Sequence, residues 1–209
     1  MSSWISPFRL RKAGILGMNE RNVSYIARYN DRRAYPLVDD KLKTKLLAEE
    51  FDIKTPRLRQ VVRQQHEIGH FSDMAVDLEG FAIKPSKGSG GKGITVVQRR
   101  EGEQYVKASG AHLSLEYLKR HLSNILAGLY SLGGKPDVAI VEDLVRPTAL
   151  LSTYSYQGVP DIRIVVFQGY PVMAMVRLST SASDGKANLH QGAVGVGLDS
   201  GTGQALNAV

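Results

Sequence analysis

The sequence predicts a fold of the α+β class. Three patterns indicate it: a glycine-rich loop between two apolar β-type runs, a long amphipathic helix, and two further β-type runs joined by a tight turn. Helical and strand patterns alternate along the chain, without an internal repeat or a low-complexity segment. A chain of 209 residues is long enough for one large domain or for two small lobes.

The glycine-rich loop is the most informative segment of the chain. It follows an apolar run that ends at Lys84, carries four glycines within residues 88–93, and leads into the β-branched run 94–97. Glycine permits positive φ angles, so several amide N–H groups can turn toward one point and bind an anion. Lys87 and Lys92 add positive charge to that of Lys84. The loop therefore predicts a polyphosphate site, and the simplest ligand for it is a nucleotide.

The order of elements distinguishes this loop from other phosphate-binding loops. The spacing Gly88-x-Gly90-x-x-Gly93 matches the dinucleotide pattern, but that pattern opens a helix, whereas a β-branched run follows here. A P-loop needs Ser or Thr after its lysine, and Gly93 follows Lys92. The protein-kinase pattern places its lysine on a later strand and needs His-Arg-Asp and Asp-Phe-Gly, which the chain lacks. Two interpretations stay open: a strand–loop–strand hairpin that covers phosphates, or a flexible turn rich in Gly and Lys.

Four segments have helical patterns. The clearest begins at the N-cap Ser114 and carries leucine and isoleucine along one face until Gly133-Gly134. Another begins with acidic residues and aligns Leu42 and Leu46 on one side. The predicted helices span residues 19–29, 39–51, 56–69 and 114–132. The predicted strands span residues 81–84, 94–97, 138–141, 162–167 and 172–176, and residues 168–171 form the turn between the last two.

The composition excludes several classes of protein. The chain has no cysteine, which excludes a disulfide framework and thiolate chemistry. No apolar run approaches the ~18 residues of a membrane span, and the N-terminal residues lack the apolar core of a secretion signal. These features predict a cytoplasmic protein. The net charge of +7 suits a polyanionic partner, but many nucleotide-binding domains are basic, so the charge does not choose between nucleotide and nucleic acid.

Five segments in a fixed order resemble the ATP-grasp superfamily, most closely the RimK-type glutamate ligases and their alpha-L-glutamate ligase-like relatives. The Asp-Lys pair at residues 40–41 resembles the start of the ATP-grasp region, and Ile83-Lys84-Pro85 with the glycine loop resembles its phosphate-covering hairpin. Val-Glu-Asp-Leu at 141–144 resembles the hinge that lies against adenine. Asp-Ile-Arg at 161–163 and Lys-Ala-Asn-Leu-His-Gln-Gly at 186–192 resemble two further RimK segments. The resemblance spans roughly residues 38–199.

The resemblance implies nucleotide-binding roles for the matching residues. Lys84 would bind the α- or β-phosphate, and the loop amides would close over the phosphate chain. Glu142 would accept a hydrogen bond from adenine or ribose, and backbone groups of residues 143–145 would complete adenine recognition. Asp161 would lie near the ribose and Lys186 near the phosphates. The ligand-binding set implied in this way is Lys84, Lys87, Gly88, Ser89, Gly90, Gly91, Lys92, Gly93, Glu142, Asp143, Leu144, Val145, Asp161, Lys186 and Asn188.

The resemblance also implies a reaction, the ATP-dependent ligation of a carboxylate to an amine. The carboxylate would attack the γ-phosphate to form an acylphosphate, and the amine would then displace phosphate. Phosphoryl transfer of this kind depends on positioning and charge neutralisation, which implies Mg²⁺ as well as ATP. Arg163 and Arg177 would be the catalytic residues, because they can stabilise negative charge at the γ-phosphoryl group and the acyl carbon. Glutamate and a peptide or small-molecule acceptor are the implied substrate pair, and the oligomeric state stays open.

The chain departs from the family pattern near its end. ATP-grasp enzymes carry metal-binding acids on late strands, commonly as Glu-x-Asn, and this sequence has no Glu-x-Asn after Gly110. Asp184 and Asp199 are the late carboxylates. We therefore expect either a C-terminal lobe that is incomplete by roughly 100 residues or a nucleotide fold without catalysis. The expected organisation is a helical extension over residues 1–37, an N-terminal lobe over 38–135, and a partial C-terminal lobe over 136–209.

One alternative function is that of a zinc metallopeptidase. His66-Glu67-Ile68-Gly69-His70 satisfies His-Glu-x-x-His, which on a helix places two imidazoles on one face for Zn²⁺ and a glutamate as general base. The extended pattern would need Gly at position 73 and His at position 76, where the chain has Asp73 and Val76. A surface helix with two incidental histidines is the plain alternative.

Binding without catalysis is a further alternative, either to a nucleotide or to RNA. Basic clusters at residues 9–12, 32–33 and 57–63 could follow a phosphate backbone. The chain lacks the aromatic ladder of RNA-binding sheets. We therefore expect these clusters to be solvated faces and nucleic acid not to be the partner.

Overall fold

The α+β class predicted from the sequence is confirmed. The computed structural model describes residues 5–183 and 185–209, so Asp184 and the first four residues of the predicted N-terminal extension lie outside the described residues. Within the described part, a helical segment precedes a mixture of helices and strands, and every strand pairing is antiparallel.

The helices and strands have the following bounds. The α-helices are α1 Pro7–Lys12, α2 Met18–Glu20, α3 Tyr35–Asp39, α4 Lys41–Glu50, α5 Ile68–Val76, α6 Leu115–Leu126 and α7 Ala149–Ser152, with a π-helical stretch at Arg21–Ala27. Short 3₁₀ turns lie at Arg32–Ala34, Gln65–Glu67, Leu132–Gly134 and Leu189–Gln191. The strands are β1 Leu58–Val62, β2 Phe81–Pro85, β3 Thr95–Val97, β4 Arg99–Glu101, β5 Gln104–Val106, β6 His112–Leu113, β7 Ala139–Asp143, β8 Asp161–Phe167, β9 Tyr170–Leu178, β10 Val194–Leu198 and β11 Ala205–Ala208.

The first sheet has the order β1-β7-β2-β3 and carries the glycine loop between its last two strands. Phe81 pairs with Val97 and Ile83 with Thr95, so the predicted strand–loop–strand hairpin is confirmed. Strand β7 lies between β1 and β2 and is buried over Ala139 to Glu142. It lies beyond residue 135, at which we expected the N-terminal lobe to end, yet it pairs within this sheet.

The hydrophobic core lies between the first sheet, helix α6 and helix α5. Leu118, Leu122 and Ile125, which recur at helical spacing on α6, are fully buried. On the sheet, Phe81 packs edge-on against Phe71 of α5 with ring centroids 5.8 Å apart. Burial of each such side chain contributes about 1.5–3 kcal/mol, so this core fixes the strand ends that carry the polar residues.

The C-terminal sheet has the order β11-β10-β9-β8. The hairpin of β8 and β9 was predicted correctly, and its turn residues Gln168 and Gly169 have φ angles of 49° and 87°. Asp161 pairs with Arg177 and Arg163 with Met175, so these four side chains share one face of the sheet. Strands β10 and β11 lie after residue 192, where we predicted no strand.

Two helix predictions were wrong. Residues 56–69 were predicted to be helical, but Leu58–Val62 form β1, because Val61 and Val62 pair with β7 and Val62 is buried. The helix in this region is α5, which begins only at Ile68. The helix predicted over 114–132 ends at Leu126, where Gly128 follows with a φ of 82°.

None of the described helices is long and apolar enough to cross a membrane.

Candidate active site

A cavity of about 1050 Å³ lies between the first sheet and the C-terminal sheet. Its first wall consists of residues from β2 and β3, among them Lys84. The hinge segment, residues 142–145, closes one side. The opposite wall is the Asp161–Arg177 face of the C-terminal sheet, together with residues 185–191. Because side chains alternate along strands β8 and β9, this wall presents charged residues to the cavity while Ile162 and Ile164 face outward and are exposed.

The structure brings most of the sequence-predicted site residues to this cavity. They come from four separate parts of the chain, and the register of the two sheets places them together. Those that line it are Lys84, Gly90, Gly91, Glu142, Asp143, Leu144, Val145, Asp161, Arg163, Arg177, Lys186 and Asn188.

The remaining predicted residues of the glycine loop do not line the cavity; they are Lys87, Gly88, Ser89, Lys92 and Gly93. The base of the loop instead contacts the segment between helix α6 and strand β7. The backbone N–H of Lys87 donates to both carboxylate oxygens of Asp137, at 3.1 and 3.0 Å. Gly93 has a φ of 74°, and a Cβ there would lie 2.5 Å from the Tyr130 ring. The loop ends are thus fixed by packing, and only its tip reaches the cavity.

The carboxylate of Glu142 lies between two lysines. Its Oε1 accepts from Nζ of Lys84, and its Oε2 lies 3.1 Å from Nζ of Lys45. Lys45, on α4, is 6% exposed and also donates to the carbonyl of Pro56 and to the hydroxyl of Thr55. An ammonium group has three N–H bonds, so every one of them has an acceptor and Lys45 is a fixed buried cation. Lys84 has a 27% exposed side chain on the cavity wall.

On the opposite wall, Asp161 orients Arg177. Nε of Arg177 donates to Oδ1 of Asp161 at 2.6 Å, and Nη2 donates to Oδ2. These hydrogen bonds raise the pKa of the Arg177 guanidinium, which keeps it charged. Arg163 forms no ion pair with another described residue, so its guanidinium is free to meet an anion in the cavity.

The hinge segment is tied to strand β1. The guanidinium of Arg59 pairs with both oxygens of Asp143, with 3.1 Å between Nη2 and Oδ2. The backbone N–H of Asp143 donates to the carbonyl of Arg57 at 3.0 Å. Arg57 and Arg59, which belong to one of the basic clusters, therefore support the hinge.

Lys45, Lys41 and Lys107 belong to the surroundings of this site and were missed by the sequence analysis as site residues. Lys41 donates to the carbonyls of Ser86 and Gly88 at the loop base, and Lys107 lines the cavity. Beside them, burial disfavours ionisation of Asp40, but hydrogen bonds from Ser86 and from the N–H groups of Lys43 and Leu42 outweigh it and lower the Asp40 pKa. Only the Asp-Lys pair at 40–41 gave a sequence signal for any of these residues.

The C-terminal end of the glycine loop is held by His121 of α6. Nε2 of His121 lies 2.9 Å from the Gly93 carbonyl, and Nδ1 lies 3.4 Å from the Tyr130 hydroxyl. Because a carbonyl only accepts, Nε2 carries the proton and Nδ1 accepts from Tyr130. Burial lowers the His121 pKa, and the hydrogen bond to Gly93 opposes this.

We expect the stability of the protein to fall as the pH drops below 6.5, the ordinary pKa of histidine. The folded-state pKa of His121 is lower than this value, so the unfolded chain binds more protons between the two. One such group changes the free energy of unfolding by at most about 1.4 kcal/mol per pH unit. Urea unfolding at pH 7.5 and pH 5.5 measures the effect, and His121→Gln should reduce it. An equal loss in wild type and variant would contradict this assignment.

Acidic residues with lowered pKa values do not interfere in that pH window. The shifted groups are Asp40, Glu67 and Asp199, whose ordinary values are 3.8, 4.5 and 3.8. A carboxylate whose pKa is lowered in the folded state stabilises the protein above its ordinary pKa, and this contribution is lost only as the pH falls below that value. The three ordinary values all lie below pH 5.5, the lower end of the proposed measurement.

The described residues do not form a metal site. No group of three or more His, Asp or Glu side chains among them is arranged to hold an ion. Each acid that lines the nucleotide-sized cavity is already paired: Glu142 with two lysines, Asp143 with Arg59, and Asp161 with Arg177. Asn188 lines the cavity, but its side-chain oxygen accepts from the N–H of His190 at 3.1 Å.

The His-Glu-x-x-His motif does not lie on one α-helix. His66 belongs to the 3₁₀ turn Gln65–Glu67, whereas His70 lies on α5. The carboxylate of Glu67 accepts from the N–H groups of Arg63 and Gln64, at 2.5 and 3.1 Å, and these hydrogen bonds lower its pKa. Glu67 therefore caps the start of the 3₁₀ turn to which it belongs, and the geometry does not support a role for it as general base beside a zinc ion.

Comparison with known proteins gives a family match. The family model described as "Sugar-transfer associated ATP-grasp" matches residues 20–209, which include both walls of the cavity, the glycine loop and the hinge segment. No curated protein matches the chain.

Proposed function

This chain belongs to the sugar-transfer associated ATP-grasp family, and we propose that it is an ATP-dependent ligase that joins a carboxylate to an amine. Its α+β architecture is that of the ATP-grasp fold, and ATP-grasp domains in general bind ATP with divalent metals. The observation that supports the proposal best is the charge of the cavity walls, where Lys84, Lys186, Arg163 and Arg177 converge. Together with Lys107 these residues place five cations around one cavity of about 1050 Å³, which suits a triphosphate.

The bound nucleotide would extend from the hinge segment to the cationic walls. Adenine would lie against residues 142–145, because the apolar Leu144 and Val145 line the cavity there. The phosphates would lie between Lys84 on one wall and Lys186 on the other. Phosphate would replace Glu142 as the partner of Lys84, while Lys45 continues to neutralise Glu142. Nucleotide binding is then an exchange of partners for Lys84 and leaves no buried charge unpaired.

The proposed chemical steps are those of ligation through an acylphosphate, and the two arginines on the C-terminal sheet suit them. A substrate carboxylate oxygen attacks the γ-phosphorus, the bond to the β–γ bridging oxygen breaks, and ADP leaves with an acylphosphate formed. An amine then attacks the acyl carbon, loses a proton, and phosphate leaves. Arg177, held by Asp161, and Arg163, which has no ion pair among the described residues, would stabilise the charge on the transferring phosphoryl group and on the tetrahedral carbon.

A divalent cation, when bound with the nucleotide, neutralises charge on its phosphates. The carboxylates of the cavity are engaged by basic side chains and do not fit a dedicated metal site. We therefore propose Mg²⁺ as a cation brought by the nucleotide.

Two features bear on the substrates. The resemblance of residues 161–163 and 186–192 to RimK segments favours glutamate as the amino acid that is added. The family description, with its reference to sugar transfer, favours an acceptor that carries a sugar. We propose glutamate and a carboxylate-bearing saccharide as the first pair to test.

We also propose two lobes that meet at the hinge, with the junction after Asp143, because β7 pairs within the first sheet.

Trapping the acylphosphate with hydroxylamine tests the proposed reaction. With ATP, Mg²⁺ and the carboxylate substrate, we expect a hydroxamate together with ADP. Arg163→Gln is expected to lower kcat by about a hundredfold while the KM for ATP changes little, because its charge acts mainly in the transition state. Arg9→Gln is the matched control, because it removes a charge from the exposed helix α1 and Arg9 does not line the cavity. Hydrolysis of ATP without hydroxamate in any carboxylate mixture would contradict ligation.

A further inference from the structure

A second cavity, of about 950 Å³, adjoins the hinge end of the nucleotide cavity. Residues from the segments 76–79, 98–100, 107–108, 145–147 and 152–159 line it. Gln98, Lys107 and Val145 line both cavities, so the two are neighbours. The roles proposed above for ATP leave this second cavity without an occupant.

The second cavity has an excess of positive charge. Arg99, Arg100, Lys107 and Arg146 line it, against two acids, Asp77 and Glu79. Arg99 is already paired, with Nε 2.6 Å from Oε1 of Glu101. Within the described part of the chain, Arg100, Lys107 and Arg146 form no ion pair with a carboxylate.

Main-chain carbonyls hold the two arginines in place. Nη1 of Arg100 donates to the carbonyl of Val76 at 3.2 Å, and Nη2 of Arg146 donates to the carbonyl of Gln98 at 3.3 Å. A guanidinium has five N–H donors, so each of these anchors leaves most of the donors for another acceptor. Nε of Arg100 is buried and has no acceptor in the structure. A buried donor without a partner is rare, and turning this edge of the guanidinium toward a carboxylate or phosphate would supply one.

We propose that the second cavity binds a ligand with a carboxylate or phosphate group, through Arg100 and Arg146 with Lys107 beside them. The two guanidiniums come from different segments and are each positioned by the backbone, which lowers the cost of ordering them around an anion. The proposal does not depend on ATP ligation, because it needs only these charges and this cavity.

Calorimetric titration with sugars that differ in one group tests the proposal. The probes are glucose 6-phosphate, glucuronate and neutral glucose, and the sugar ring is chosen because of the family description. We expect the protein to bind at least one charged probe and not glucose. Arg100→Gln and Arg146→Gln should each weaken that binding about tenfold, the loss expected for one charge-assisted hydrogen bond. Which of the two charged probes binds shows whether the ligand group is a phosphate or a carboxylate.

Two controls make the result decisive. Arg99→Gln removes the same charge from the neighbouring position on β4, but from a guanidinium already paired with Glu101, and should have little effect. Lys84→Ala should also leave probe binding intact, whereas it weakens binding of an ATP analogue. Failure of both charged probes to bind, or an equal loss in Arg99→Gln, would overturn the proposal. Arg146 is exposed, so its variant tests the site even if Arg100→Gln fails to fold.

Discussion

Replacing Lys84 by alanine is expected to weaken the binding of a non-hydrolysable ATP analogue by about a hundredfold. Hydrogen bonds to charged groups contribute about 1.5–3 kcal/mol, and each 1.4 kcal/mol is tenfold in affinity. Lys84 is the lysine of β2 that lines the cavity, and it can exchange Glu142 for a phosphate. Isothermal titration in the presence of Mg²⁺ measures the effect, with a thermal melt to show that the variant is folded.

Lys87→Ala is the matched control for this result. Lys87 belongs to the same glycine-rich segment and carries the same charge, but its exposed side chain does not line the cavity. We expect its loss to change the affinity by less than about threefold, because an exposed charge acts on a distant ligand only through solvent. Equal effects of the two substitutions would mean that the loop attracts nucleotide by its general charge and that Lys84 has no specific contact.

Replacing Glu142 by glutamine is expected to cost about 3–5 kcal/mol of the free energy of unfolding. Glutamine keeps the shape of the side chain but removes the charge, and Lys45 then has no counter-ion in a buried position. Removing one partner of a buried ion pair is costly because the other charge stays out of water. Urea denaturation at pH 7.5 measures the difference between wild type and variant.

Lys45→Met tests whether the charge of Glu142 is shared between Lys45 and Lys84. The variant keeps Glu142 paired with Lys84, so we expect a smaller loss of about 1–2 kcal/mol, mainly from the acceptors Pro56 and Thr55 that lose their donor. In this variant Lys84 is the one counter-ion left to Glu142 within the described part of the chain. Phosphate must then compete with Glu142 for Lys84, so the affinity for the ATP analogue should also fall. A loss as large as that of Glu142→Gln would show that Lys84 does not share the charge.

The parts of the fold that were predicted correctly have strong local patterns. The β2–loop–β3 hairpin combines β-branched runs with a glycine cluster, and the β8–β9 hairpin has alternating apolar residues around Gly169. Strand β1 was mistaken for a helix because Leu58-Arg59-Gln60-Val61-Val62 is polar enough for a surface helix. Only its pairing with β7, which lies about eighty residues later in the chain, decides that it is extended.

The sequence predicted the residues of the candidate site that stand in motifs, but not the residues that hold them in place. Lys84 and Arg163 stand in recognisable segments, and both line the cavity. Lys45 looks like an ordinary lysine on the polar side of α4, and nothing local shows that it is buried. Its contact with Glu142 depends on the order of strands in the first sheet, which brings together residues nearly a hundred positions apart. Long-range pairing of this kind leaves no trace in the spacing of one segment.

The packing of the glycine loop has a consequence for the rate of ligand exchange. Its ends are held by Asp137 and by the His121–Tyr130 pair, whereas a Cβ at Gly90 or Gly91 would meet no atom within 4 Å. The tip can therefore swing as a short flap while the core and the loop ends stay still. Loop motions of this size take nanoseconds to microseconds, far shorter than typical enzyme turnover times of milliseconds to a second. ATP entry and ADP release should then be governed by their contacts with the cavity walls, and not by opening of the flap.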